Sequence, residues 1–99
     1  MLLSHARTLC DARSALAVLA DRAISSDASS AYEQVLITLD VIHGDEAPAI
    51  DTYGLPEEHD RLLAIASTAL ERLKSHGVDD LHVELLLAML DDATELDVI

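Results

Sequence analysis

Apolar residues recur every three to four positions in four separate segments of the chain, a period that predicts helices rather than strands. In the first, over 2–24, Leu2, Leu9, Leu16, Leu19, Ala20, Ala23 and Ile24 share one side, opposite Arg7, Asp11, Ser14 and Asp21. It runs into SSDASS, a stretch of turn and capping residues. Ser30 and Glu33 have the spacing of a capping box, so the second helix is expected over 31–43. Its inner side is Tyr32, Val35, Leu36, Leu39 and Ile42, and Gly44 supplies the left-handed residue that stops it. Pro56 suits the first turn of a third helix, over 56–76, with Glu57 and Glu58 at the positive end of its dipole. Leu62, Ile65, Ala66, Ala69, Leu70 and Leu73 form its apolar side. Gly77 ends it, Val78 provides the hydrophobic contact of the cap, and Asp79 caps a fourth helix over 80–95.

The pattern predicts an all-α fold, a four-helix antiparallel bundle in a single domain over 1–99. The acidic loop between the second and third helices, Asp45 to Leu55, is longer than most helix–helix connections and is expected to be the mobile element. The fourth helix is unusual. Leu85, Leu96, Met89, Ala93, Leu86, Leu90, Val83 and Leu87 cover about 200°, where one seam needs roughly 100°. One neighbouring helix cannot bury that arc, so the helix is either central in the bundle or half of a self-association surface built on Val83, Leu87 and Leu90.

Charge narrows the partners. Six Lys and Arg stand against 19 Asp and Glu, a formal charge of -13, and neither Ala23–Asp60 nor Ser75–Ile99 contains a single Lys or Arg. Those stretches repel nucleic acid and anionic lipid and attract basic surfaces. No nucleic-acid or membrane partner is expected. No apolar run approaches the ~18 residues of a membrane span, and MLLSHART lacks the pattern of a signal peptide, so a cytoplasmic location is expected. The preference for Ala, Asp and Arg over Lys, Asn and Ile has the look of a GC-rich bacterial genome. With no Phe or Trp, the core must be aliphatic. Cys10, the only cysteine, is read as a reduced core residue.

Catalytic patterns are absent: there is no GxSxG turn, no cysteine with His and acid partners, and no glycine-rich phosphate loop. No enzyme activity and no cofactor are expected. Asp40 with His43, and Asp79 with His82, have a spacing that puts two metal ligands on one helix face. Asp40, Glu33, Glu84 and Glu71 fall on outer faces, however, and Asp79 is better used as a cap, so no metal site is assigned. His5, His59, His76 and His82 lie on or near the apolar arcs, where protonation near pH 6 would loosen a bundle. Arg13 also lies inside an apolar arc, and either its stem snorkels to water or it pairs with a carboxylate from a neighbouring helix. Gly77 to Leu90, GVDDLHVELLLAML, locally resembles the phosphopantetheine attachment region of acyl carrier proteins. Asp80 stands at the position of that family's serine and one residue is missing before Val83-Glu84-Leu85, so no function is carried across.

The expected function is a non-catalytic acidic interaction module that binds a protein with a basic surface, as an inhibitor, an immunity or antitoxin-like factor, or an accessory subunit. Ile37 and Val41, on the otherwise polar side of the second helix, are candidate contacts. So are Asp45, Glu46, Ile50, Asp51, Tyr53 and Leu55 in the loop, and Glu84, Asp91 and Glu95 in the acidic strip of the last helix. Two alternatives stand beside it: a homodimer assembled through the last helix, and a bundle that responds to pH or metal.

Overall fold

A computed structural model describes residues 2–98, the side chain of Asp45 apart. Its elements are α1 (Leu3–Asp21), α2 (Ser26–His43), α3 (His59–Arg72) and α4 (Asp80–Leu96), with 3₁₀ turns at Gly44–Glu46 and Leu73–His76 and no strand among the described residues. The four helices pack together as a bundle, the architecture that the apolar period predicts.

Three helix ends differ from the sequence expectation. α2 starts at Ser26, with the Ser25 hydroxyl accepting the Ala28 N–H at 3.1 Å, so the capping box at Ser30 is not used. The extra turn buries Ala28 completely, while Ser26, Asp27 and Ser30 stay exposed, where their weak helix propensity costs little. Leu2 and Ile24 lie outside α1 and are 78% and 52% exposed, not part of its buried side. Pro56 precedes α3 instead of opening it, because residues 47–58 are still crossing the bundle. The stops at Gly44 (φ 64°) and Gly77 (φ 92°) fall where expected. At the second stop the Val78 N–H donates to the Leu73 carbonyl at 3.1 Å, and Asp79 caps α4 by accepting the Leu81 N–H at 2.8 Å.

Contacts at the two ends fix the topology. His5 at the start of α1 meets His43 at the end of α2 and His76 after α3. Asp97, just past α4, meets Ile24 after α1, Tyr32 in the first half of α2 and His59 at the start of α3. Thus α1 and α4 run one way and α2 and α3 the other. The order around the bundle is α1–α2–α4–α3, every neighbouring pair is antiparallel, and α1 and α4 sit across a diagonal. Two helices that run the same way need a connection as long as themselves. The 14 residues of α3 rise ~21 Å and the strap over 47–58 can reach ~40 Å, which explains its length.

Leu9, Leu16, Leu19, Tyr32, Val35, Leu39, Leu62, Leu70, Leu73, Val83, Leu86 and Leu90 are at most 2% exposed and fill the core. Most of the wide arc of α4 is used within the chain, against both neighbours, α2 and α3, while Leu85 and Leu96 at its edge are each 50% exposed. Val83 and Leu90, expected to lie at a self-association surface, are 0% and 2% exposed and face the chain's own core, with Leu87 half-buried beside them.

Candidate functional site

The strap is tied down, contrary to the mobility expected of it. Arg13 donates to both carboxylate oxygens of Asp40, at 2.8 and 3.2 Å, and to the carbonyl of Pro48. The Ser14 hydroxyl accepts the Asp51 N–H at 2.9 Å, and the Cys10 thiol donates to the Ala49 carbonyl at 3.5 Å. Positions 10, 13 and 14 share one face of α1, so the strap lies along that face. Further on, Arg22 donates to the Glu57 carbonyl at 3.1 Å. Arg13 therefore takes the second of its two expected roles, as a two-pronged ion pair that is mostly buried. Cys10 is half-buried beneath the strap and is not a core residue. Leu55, expected as a partner anchor, is half-buried against the core. Glu46, Ile50, Asp51 and Tyr53 remain exposed, and Asp45 lies outside the described side chains.

The strap residues Ile50, Asp51 and Tyr53 lie over α1, across the diagonal from α4 and from Glu84, Asp91 and Glu95, whereas Glu46 lines a depression that reaches the start of α4. Another surface is better formed. On α2, Arg13 and His5 mark the flank towards α1 through Asp40 and His43, which leaves Ile37 and Val41 outward and towards α4. The right-handed turn of the helices, with the order α1–α2–α4–α3, places Leu81 and Leu85 on the flank of α4 towards α2. Because α2 and α4 are antiparallel, Val41 and Leu81 lie near the same bundle end and Ile37 and Leu85 a turn further along. The four side chains are 53%, 75%, 73% and 50% exposed in the order Ile37, Val41, Leu81, Leu85. Exposed Glu33, Glu84 and Asp92 flank them, and neither helix carries a Lys or Arg. Four of the six Lys and Arg are engaged elsewhere: Arg13 and Arg22 hold the strap, Arg61 pairs with Glu58 at the start of α3, and Lys74 pairs with Glu71 at its end.

Sequence reasoning found Ile37 and Val41 and missed Leu81 and Leu85. Their i, i+4 spacing was the available signal, but Leu85 sits at the edge of the apolar arc and reads as core. Asp97 was also missed. Its carboxylate, 4% exposed, accepts from Ile24 N–H at 2.8 Å and Tyr32 O–H at 2.9 Å and pairs with His59 Nε2 at 2.7 Å. Burial opposes its charge, but those donors outweigh burial and hold it below the usual carboxylate range. Burial and the neighbouring Asp97 push the Tyr32 phenol upwards in turn.

At the opposite end, His5, His43, Glu46, His76, Asp79 and His82 line one open depression. Among the described residues no three His, Cys, Asp or Glu side chains are arranged to hold a metal ion; Asp40 is engaged by Arg13 and Asp79 by its cap. Among the described residues no helix is long and apolar enough to cross a membrane. The chain matches no protein-family model, no curated protein and no solved structure.

Proposed function

We propose that the protein is a non-catalytic interaction module that seats a basic amphipathic segment of a partner protein on the α2–α4 face. The observation that carries this reading is the exposed quartet Ile37, Val41, Leu81 and Leu85, framed by carboxylates on two helices without a single Lys or Arg. The aliphatic centre supplies affinity, since apolar anchors dominate binding energy, and the acidic frame selects positive partners and speeds encounter. A partner segment that fits has an apolar stripe at i, i+4 flanked by Lys or Arg. Inhibitor, immunity or antitoxin-like factor and accessory subunit all use such a surface. The strap residues Ile50, Asp51 and Tyr53 are left to a second, separate contact.

The reading is tested with a synthetic helical peptide carrying a Leu stripe flanked by Lys, by calorimetry at low and high salt. Binding is expected to weaken as salt rises, and Val41→Glu with Leu85→Glu to weaken it at least tenfold. Binding that ignores salt, or that the double variant leaves unchanged, overturns the proposal. Homodimerisation through the same quartet is the competing use of this surface, and light scattering separates the two: a dimer resistant to salt assigns the face to a second copy.

A further inference from the structure

Three histidines from three elements meet where α1 begins and α2 and α3 end. His5 Nε2 lies 3.0 Å from His43 Nε2. The His5 ring stacks on that of His76, with centroids 5.0 Å apart and planes 5° from parallel, and meets His43 edge-on at 5.1 Å. Their neighbours dictate the tautomers. His43 Nδ1 faces the Leu39 carbonyl at 2.9 Å, which only accepts, so Nδ1 carries the hydrogen and Nε2 of the neutral ring is the acceptor. His5 Nε2 is therefore the donor of the 3.0 Å bond. Thr8 gives its hydroxyl hydrogen to the Ser4 carbonyl at 3.1 Å, so its oxygen accepts from His76 Nε2, also at 3.1 Å. The whole arrangement is satisfied by neutral imidazoles.

One added proton leaves the His5–His43 bond intact, because N–H⁺···N serves whichever ring holds the charge. A second does not: both Nε2 atoms would carry hydrogens facing each other at 3.0 Å, with a third ring stacked alongside. The charges around His5 come from every side: the chain's amino group with α1, His43 and Glu46 from α2 and its 3₁₀ turn, His76 from the turn after α3, and Asp79 and His82 from the start of α4. Only the carboxylates favour a proton on His5, and the first turn of α1, its positive dipole end, opposes one.

We propose that His5, His43 and His76 form a proton-operated latch, joining the start of α1 to the ends of α2 and α3 when neutral and releasing them when the His5–His43 pair takes its second proton. Burial, then His43 and His76, then the amino group, lower the pKa of His5, with Glu46 opposing. The unfolded chain thus binds this proton more readily than the folded one. The stabilisation is complete above the ordinary histidine value, ~6.5, and is lost as pH falls from there through the folded value. His43 of the latch lies two residues from Val41; any effect on partner binding rests on the docking face proposed above, whereas the latch itself does not.

The test uses the full chain with chelator present and ionic strength fixed. Melting temperature is expected to fall by about 5 °C between pH 7.5 and pH 5, and His5→Phe, which keeps a ring on His76 but no proton, to remove at least half of that fall. A flat profile, or the same fall in His5→Phe, overturns the latch. Side-chain nitrogen NMR of the unaltered protein gives an independent decision, even where the variant does not fold. It should show His43 as the Nδ1–H tautomer and His5 carrying its hydrogen on Nε2. The other tautomer at either ring also overturns it.

Discussion

At the end of the bundle where α4 finishes, one buried carboxylate gathers a backbone N–H, a phenol and an imidazole; at the other end three imidazoles hold one another and a threonine. Both ends join several elements through polar side chains in an otherwise aliphatic fold. They differ in where the charge resides. Asp97 is already charged and its donors are assembled around that charge, so adding a proton removes what the donors were placed for. The histidine end is satisfied by neutral rings, with Glu46 beside it as the carboxylate that favours a proton on His5. The two ends therefore differ in their proton logic: the latch proposed above responds in the histidine range, the Asp97 carboxyl in stronger acid.

Substitutions can break this contrast. Asp97→Ala leaves the Tyr32 hydroxyl, the Ile24 N–H and His59 without their acceptor. It should cost about 3 kcal/mol in denaturant unfolding, the largest effect among these substitutions. Arg13→Ala removes a tie that belongs to neither end. It should cost about 2 kcal/mol and open residues 47–51 to proteolysis, leaving the pH response of both ends in place. Tyr32→Phe keeps the ring in the core and deletes one donor to Asp97, for about 1.5 kcal/mol. A larger loss would mean that the hydroxyl also orients His59, which is 3.5 Å away. Val41→Ser, at a side chain that is 75% exposed, should change stability by less than about 0.5 kcal/mol.

The pH profile sharpens the contrast further. Asp97 in the folded chain releases its proton more easily than in the unfolded chain, so its contribution is complete above the ordinary carboxylate value, ~3.9, and is lost as pH falls from there through the folded value. Melts from neutral to strongly acid pH should then show two separated losses of stability. Asp97→Asn should erase the lower step alone.

Much of this was legible from local pattern. The apolar arcs, the glycine stops at Gly44 and Gly77 and the cap at Asp79 depend on residues within a few positions of one another, and they fall where expected. What the sequence concealed depends on distant partners. Ser30-x-x-Glu33 is a good capping box, but burial of Ala28 draws the helix back to Ser26. Pro56 is a good helix opener, but the chain there has not yet reached the far end of the bundle. The spacing of Asp40 and His43 suggests two side chains acting together on one helix face, whereas Arg13 takes Asp40 and His5 takes His43, both from α1. The exposed aliphatic face was half legible for the same reason. Ile37 and Val41 stand out on their own helix, while Leu81 and Leu85 become a surface only once α4 is known to lie beside α2.

The strap has a consequence for how chains exchange parts. α1–α2 and α3–α4 are each hairpins closed by short turns, and the only covalent link between them is the segment over 47–58. Its first half is fastened to α1 by Cys10, Arg13 and Ser14 and so travels with the first hairpin. A hinge between Thr52 and Leu55 would let two molecules trade second hairpins while every helix keeps the same neighbours, supplied by the other chain. Arg22, which donates to the Glu57 carbonyl beyond that hinge, would then reach across to the second chain.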